Sequence, residues 1–228
     1  MGACELERLS RESSSGALAM LDLMRSPLFG RLAATDAAWL ALAAVQLGEG
    51  RAEKYAGADL EAELRREGVE VRRLDCDPPG LRAGWRLMAQ TTFGGDRCRI
   101  DLYGGQLAEK TCALVECGCH VGRDEVERLH LAHEFFHVLE FWEGITADER
   151  LGPVRARRPF GLGWARRRVA SAREAAAHAF ARVHAGICVA PELTDYAVLV
   201  HEGGRTMDDV RRQLARAGAA LEGRGSDG

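Results

Sequence analysis

The segment LHLAHEFFHVLEFW, Leu129–Trp142, is apolar almost throughout, yet it carries three histidines and two glutamates. A helix that is apolar nearly all round is a buried helix. Imidazole and carboxylate groups buried there cost on the order of several kcal/mol unless each finds a partner. His133, Glu134 and His137 spell H-E-x-x-H. On a helix the two histidines, four apart, lie one turn above each other on a single face and can reach one ion. Glu134, beside the first histidine, is then placed to take a proton from a water. The competing reading is a buried helix whose histidines bond to their neighbours without any ion.

A tetrahedral catalytic zinc takes three protein ligands and keeps its fourth position for water. The next helical stretch, SAREAAAHAFA, offers Glu174, with Ala177 and Ala181 on the same face as small residues that let two helices approach. Ser171 and Glu174 also have the spacing of a helix-capping pair, although the helical pattern is expected to begin earlier, near Trp164. His178, one turn on, is an alternative ligand or a hydrogen-bond partner that holds one. His130 shares the face of His133 and is a candidate ligand partner or substrate contact. His201, near a turn in VLVHEGG, is a candidate donor to negative charge developing on a substrate oxygen.

HLAHEFFHVLEF followed by REAAAHAFARVHAGICVAP resembles the ImmA/IrrE-type zinc metallo-endopeptidases. In that family a H-E-x-x-H helix precedes a helix with an E-x-x-A-N-x-F-A pattern and then a proline. Glu174, Ala177, Phe180, Ala181 and Pro191 fall on that pattern, and the resemblance spans about half the chain, from Trp85 to Pro191. It implies a zincin-like fold, with His133, His137 and Glu174 as zinc (Zn2+) ligands and Glu134 as the catalytic base. His178 departs from it, standing where the family has asparagine. Some members cleave or switch off DNA-bound repressors.

Outward from this pair of helices, the chain reads as α+β and as one metallopeptidase-like domain over residues 1–228. Residues 1–68 form a helical N-terminal part: GALAMLDLMR, then Asp36 to Leu47, then ADLEAELRREG stopped by Gly68. Val69 to Asp75 predicts a short strand. WRLMAQTT and RCRIDLY, flanking the turn FGGD, predict a hairpin in which Cys98, Ile100 and Leu102 share one face. A helix is expected from Gln106 to Cys117. The metal helix then starts at an Asp124–Glu127 capping pair and ends at Gly144. A connection rich in arginine, glycine and proline runs from Ile145 to Gly163, and the Glu174 helix stops at Gly186. Residues 192–228 form a helical C-terminal tail whose last residues, RGSDG, fray.

Of the 228 residues, 46% are hydrophobic and 29% charged, as in an ordinary soluble globular protein. The net charge of −3 argues for neither nucleic acid nor membrane as a direct partner. The longest apolar run, Ala37 to Val45, is far shorter than the roughly 20 residues a membrane span needs. Seven cysteines without repeating spacing, behind an N-terminus with no apolar signal core, point to reduced thiols in a cytoplasm. CALVECGCH gathers Cys112, Cys117, Cys119 and His120 but lacks the paired layout of a structural zinc site. The arginines from Arg155 to Arg168 read as a solvated loop. The expected partner is a protein or peptide substrate, held along a sheet edge. The function expected is zinc-dependent endopeptidase action on a narrow set of proteins, and its rival is a non-catalytic metal-binding regulatory module.

Overall fold

The computed structural model describes residues 4–78, 86–94 and 97–223. The chain begins with four helices, α1 Glu5–Glu12, α2 Ser15–Met24, α3 Ala34–Lys54 and α4 Leu60–Arg66, and continues into strand β1 Glu70–Leu74. Strands β2 Ala89–Gly94 and β3 Arg97–Tyr103 follow, then helices α5 Gly104–Glu116, α6 Arg123–Glu143 and α7 Ala147–Leu151. A second strand pair, β4 Val154–Arg157 and β5 Trp164–Arg167, precedes helices α8 Ser171–Ala185, α9 Pro191–His201 and α10 Met207–Leu221. The architecture is α+β, helical for the most part, and among the described residues the strands form one three-stranded and one two-stranded sheet.

The three-stranded sheet has the order β1-β3-β2, with β1 parallel and β2 antiparallel to the central β3. Cys98, Ile100 and Leu102 alternate inward along β3 and are buried, as the period-2 pattern requires. Trp85 and the turn residues Gly95 and Asp96 lie outside the described residues. β2 is an edge strand that also packs on α6.

α8 is the centre of the helical layer, packed between α3 and α6. Ala172, Ala175, Ala176, Ala177, Ala179 and Ala181 are all fully buried, so its surface is nearly smooth backbone. On α3, Gly48 completes the close approach: a methyl group there would overlap the Ala176 carbonyl and lie 2.8 Å from the Ala179 Cβ and 3.0 Å from the Phe180 nitrogen. Phe180 reaches the other way and packs against Phe135 and Phe136 of α6, at ring separations of 5.9 and 5.8 Å.

Several boundaries differ from the sequence expectation, each for a local reason. α3 runs through Gly48 and Gly50 instead of stopping at Leu47, because packing on α8 outweighs the low helix propensity of glycine. The cap of α6 is formed by Glu125, whose carboxylate accepts from the Gly122 N–H at 2.7 Å, while Glu127 instead pairs with Arg73 of β1. The segment from Ile145 to Gly163 is not a bare connection. It folds as α7 and the first strand of the β4–β5 hairpin, and Asp36 binds Arg155 there through both backbone and side chain. Trp164–Arg167 is strand β5, so the Glu174 helix begins at Ser171 and not near Trp164. Among the described residues no helix is long and apolar enough to cross a membrane, and all seven cysteines are free thiols.

Two glycines two residues apart test the α3–α8 contact. Gly48→Ala should destabilise the protein by roughly 1–3 kcal/mol, since overpacking exceeds the propensity gained. Gly50→Ala, which meets nothing within 4 Å, should stabilise it by about 0.5–1 kcal/mol. Urea unfolding midpoints moving in the same direction for both variants would contradict this packing.

Candidate metal centre

His133 and His137 leave the same face of α6, with ring centroids 4.9 Å apart and their Nε2 atoms 3.2 Å apart. α8 brings Glu174 to them from the opposite side. One carboxylate oxygen lies 3.3 Å from the His133 Nε2, and the other 3.8 Å from the His137 Nε2. A tetrahedral ion with ligand distances of about 2.0–2.2 Å holds its ligand atoms roughly 3.3–3.6 Å apart. The three side chains therefore fit one ion with little movement, and no capping role draws Glu174 away. Although Ser171 is the first helical residue, its hydroxyl has no hydrogen-bond partner, and the Glu174 carboxylate turns toward the histidines.

The charges match this convergence. Burial disfavours the charged form of His133 and lowers its pKa, leaving a neutral ring. Burial acts the same way on His137, but the carboxylates of Glu140 and Glu174 outweigh it and raise that pKa to about 9. Glu174, whose side chain is about half exposed, is partly desolvated, which opposes its charge, yet hydrogen bonds and charge from the two histidines hold it well below the usual carboxylate range. Two imidazoles and an ionised carboxylate are a donor set for a borderline divalent metal ion.

Glu140 was not singled out from the sequence, and it orders the site. Its carboxylate, buried at 2% exposure, takes the His137 Nδ1 at 2.8 Å, the Arg173 Nε at 2.5 Å and the Ala147 backbone N–H at 2.5 Å. With Nδ1 held, Nε2 is the ring nitrogen that faces His133 and Glu174, and an ion binding there would displace its proton. The available signal was spacing, since Glu140 lies three residues after His137 on the same helix. Glu134 accepts a hydrogen bond from the Thr91 hydroxyl of β2 at 2.6 Å. The bond ties its carboxylate to the sheet edge, beside the cleft that His133 and Glu174 also line.

The other expected site residues take different places. His178 lines the same cleft of about 680 Å³ as His133, Glu134 and Glu174, with its ring 4.7 Å from that of His133. It is not one of the three converging ligands. Its Nδ1 is bonded at 2.8 Å to Asp22 of α2, a carboxylate 1% exposed. Burial opposes the charge on His178, but Asp22 outweighs it and raises the pKa to about 9. Asp22, His178 and Glu192 are close enough to share a cation. Arg25, 3.6 Å from Asp22, and Arg182, 3.3 Å from Glu192, already bring positive charge to that cluster. His130 also lines the cleft, and its Nε2 lies 3.2 Å from the ammonium of Lys110. Lys110 is fully buried and bonded to Asp195 at 2.7 Å and Thr194 at 3.3 Å. His201 pairs with Glu116 at 2.7 Å and does not line the cleft. The cysteine-rich run meets the N-terminus: the Cys119 and Cys4 sulfurs are 3.0 Å apart, and Glu7 accepts from the His120 N–H and the Cys188 thiol.

The chain matches no family model, no curated protein and no solved structure.

Metal affinity of point variants, read by competition with a chelating dye, orders these roles. Glu140→Gln should weaken binding by the roughly 10- to 100-fold of a lost outer hydrogen-bond partner. Glu174→Ala should exceed that range and His178→Ala should fall below it. A larger loss for His178→Ala than for Glu174→Ala would mean that the ligand assignment is reversed.

Proposed function

We propose that this chain is a zinc-dependent metallo-endopeptidase of the ImmA/IrrE type, zincin-like in fold, that hydrolyses a narrow set of protein substrates in the cytoplasm. The observation that carries this reading is the convergence of His133, His137 and Glu174 with Glu134 held beside them by Thr91. Two histidines and a carboxylate suit zinc, which leaves an open position in sites of this kind. Bound there, zinc would polarise the scissile carbonyl and acidify a water.

The chain's own groups do the rest. Glu134 accepts the proton of the attacking water and returns it to the leaving amine. Its bond to Thr91 keeps the carboxylate beside the edge strand, where a peptide would lie. Glu140 and Arg173 hold His137 in one tautomer. His178, fixed through Nδ1 by Asp22, presents its other ring nitrogen beside the cleft. Met88, Leu129 and Val198 give the cleft apolar walls that reduce water around the reacting groups. β2 offers main-chain hydrogen bonds along its free edge, a mode of peptide binding that is largely independent of sequence.

The rival, a metal-binding module without turnover, has no use for a base beside the ion. Glu134→Gln preserves size and removes the base, so zinc content, about one ion per chain, and melting temperature should stay near those of the unaltered protein. Cleavage of proteins in a cell extract, read as new peptide termini, should fall by at least roughly 10²- to 10⁴-fold. Equal cleavage by both proteins would mark the proteolysis as contamination. Zinc binding without any cleavage would leave the regulatory module as the better account.

A further inference from the structure

The edge strand beside Glu134 carries more than main-chain recognition. The Tyr103 N–H donates to the Met88 carbonyl at 2.8 Å, and the β2–β3 register continues that pairing antiparallel from Ala89↔Leu102 to Gly94↔Arg97. In such a ladder the backbone groups of successive residues point alternately to the two sides. Gln90, Thr92 and Gly94 therefore face β3, while the N–H and C=O groups of Ala89, Thr91 and Phe93 point to the outer edge. No described strand pairs with that edge.

The side chains of these same three residues share the face toward α6. Thr91 reaches Glu134, and Phe93 stacks on Phe141 with ring centroids 4.5 Å apart and an interplanar angle of 21°. Phe93 and Phe141 remain 39% and 42% exposed, so the stacked pair forms an open apolar shelf. Phe141 lies one turn beyond His137 on α6, as Phe93 lies one pleat beyond Thr91 on β2. Strand and helix thus run side by side past the metal centre. At the other end of β2, Met88 and Ala89 open into the cleft.

From this we infer that Phe93 and Phe141 form a specificity subsite that selects substrates with an aromatic or large aliphatic residue on the N-terminal side of the cleaved bond. The inference rests on the peptidase reading above. A peptide added antiparallel to the outer edge bonds to Ala89, Thr91 and Phe93, and its residues opposite them point their side chains to the α6 face. The residue opposite Phe93 precedes the one opposite Thr91 by two positions. Its side chain meets the exposed faces of the two phenyl rings, and an apolar group there removes both surfaces from water. The chain beyond Thr91 continues toward Ala89 and the cleft. Polar or charged residues at the Phe93 position gain nothing from the shelf and are disfavoured.

The test uses zinc-loaded protein and a library of random decapeptides, acetylated and amidated at their ends. The Glu134→Gln variant reports binding, by mass spectrometry of the retained peptides, and the unaltered protein reports cleavage, by new termini. The expected result is enrichment of Phe, Tyr, Trp or Leu by roughly 10-fold or more at one position N-terminal to the cut. The same enrichment should appear in the retained peptides and be lost in Phe141→Ala and Phe93→Ala, whose melting curves serve as the folding control. Enrichment that survives both substitutions overturns the subsite, as does cleavage with no preference at that position. Selective retention without cleavage by the unaltered protein keeps the subsite and sinks the peptidase reading. Neither retention nor cleavage sinks both.

Discussion

The Glu140 carboxylate is the point at which three separate parts of the chain are joined. It binds a histidine of its own helix, an arginine of α8 and the first backbone N–H of α7. A carboxylate buried in this way would be ruinous alone, because its desolvation is only offset when every lone pair is occupied. Three donors with two positive or polarised partners meet that demand, and they keep Glu140 ionised below its usual range against the pull of burial. The same bonds fix the rotation of His137, the distance of α8 from α6, and the direction in which the chain leaves α6. The cluster of His133, His137 and Glu174 thus inherits its geometry from a group outside it.

Around this joint the helices approach closely because α8 has so little side chain. Its buried alanines contribute little apolar area each, so the core mass comes from Phe135, Phe136 and Phe180, which fill the space on either side of the smooth seam. Small residues at an interface exchange hydrophobic area for proximity, and proximity is what brings His133, His137 and Glu174 together from two helices. The polar groups left in the cleft wall are balanced in pairs. Asp22 holds His178, Asp195 holds Lys110, and Arg86 meets Glu202. Much of the charge lining the cleft is therefore already paired.

Much of the secondary structure was legible from residue pattern alone. The alternation of Cys98, Ile100 and Leu102 marked β3, and Gly68, Gly144 and Gly186 ended helices where the backbone turns left-handed. The errors have a common form. Gly48 looked like a helix end because local propensity disfavours glycine, yet close packing on α8 requires it. Arg155–Arg157 looked like loop and Trp164–Arg167 like the start of the Glu174 helix, because each run is too short and too charged to declare a strand. Their pairing, and the contacts with Asp36 and Leu32, exist only once α3 is in place.

At the site the same division holds. H-E-x-x-H is written in the sequence, because an α-helix converts a spacing of four residues into two side chains on one face. Glu174 was legible as a candidate for the same reason, through the small residues that follow it one turn apart. Which of Glu174 and His178 meets the histidines was not decidable there, since both lie on the correct side of α8. Only the tertiary structure separates them. Asp22, more than 150 positions earlier, takes the His178 Nδ1 and leaves Glu174 to close the triad. The roles of Glu140, Thr91 and the Phe93–Phe141 shelf belong to the fold alone. Helix periodicity relates neighbours within a few residues, whereas the approach of a strand, or of another helix, depends on how the whole chain buries its apolar faces.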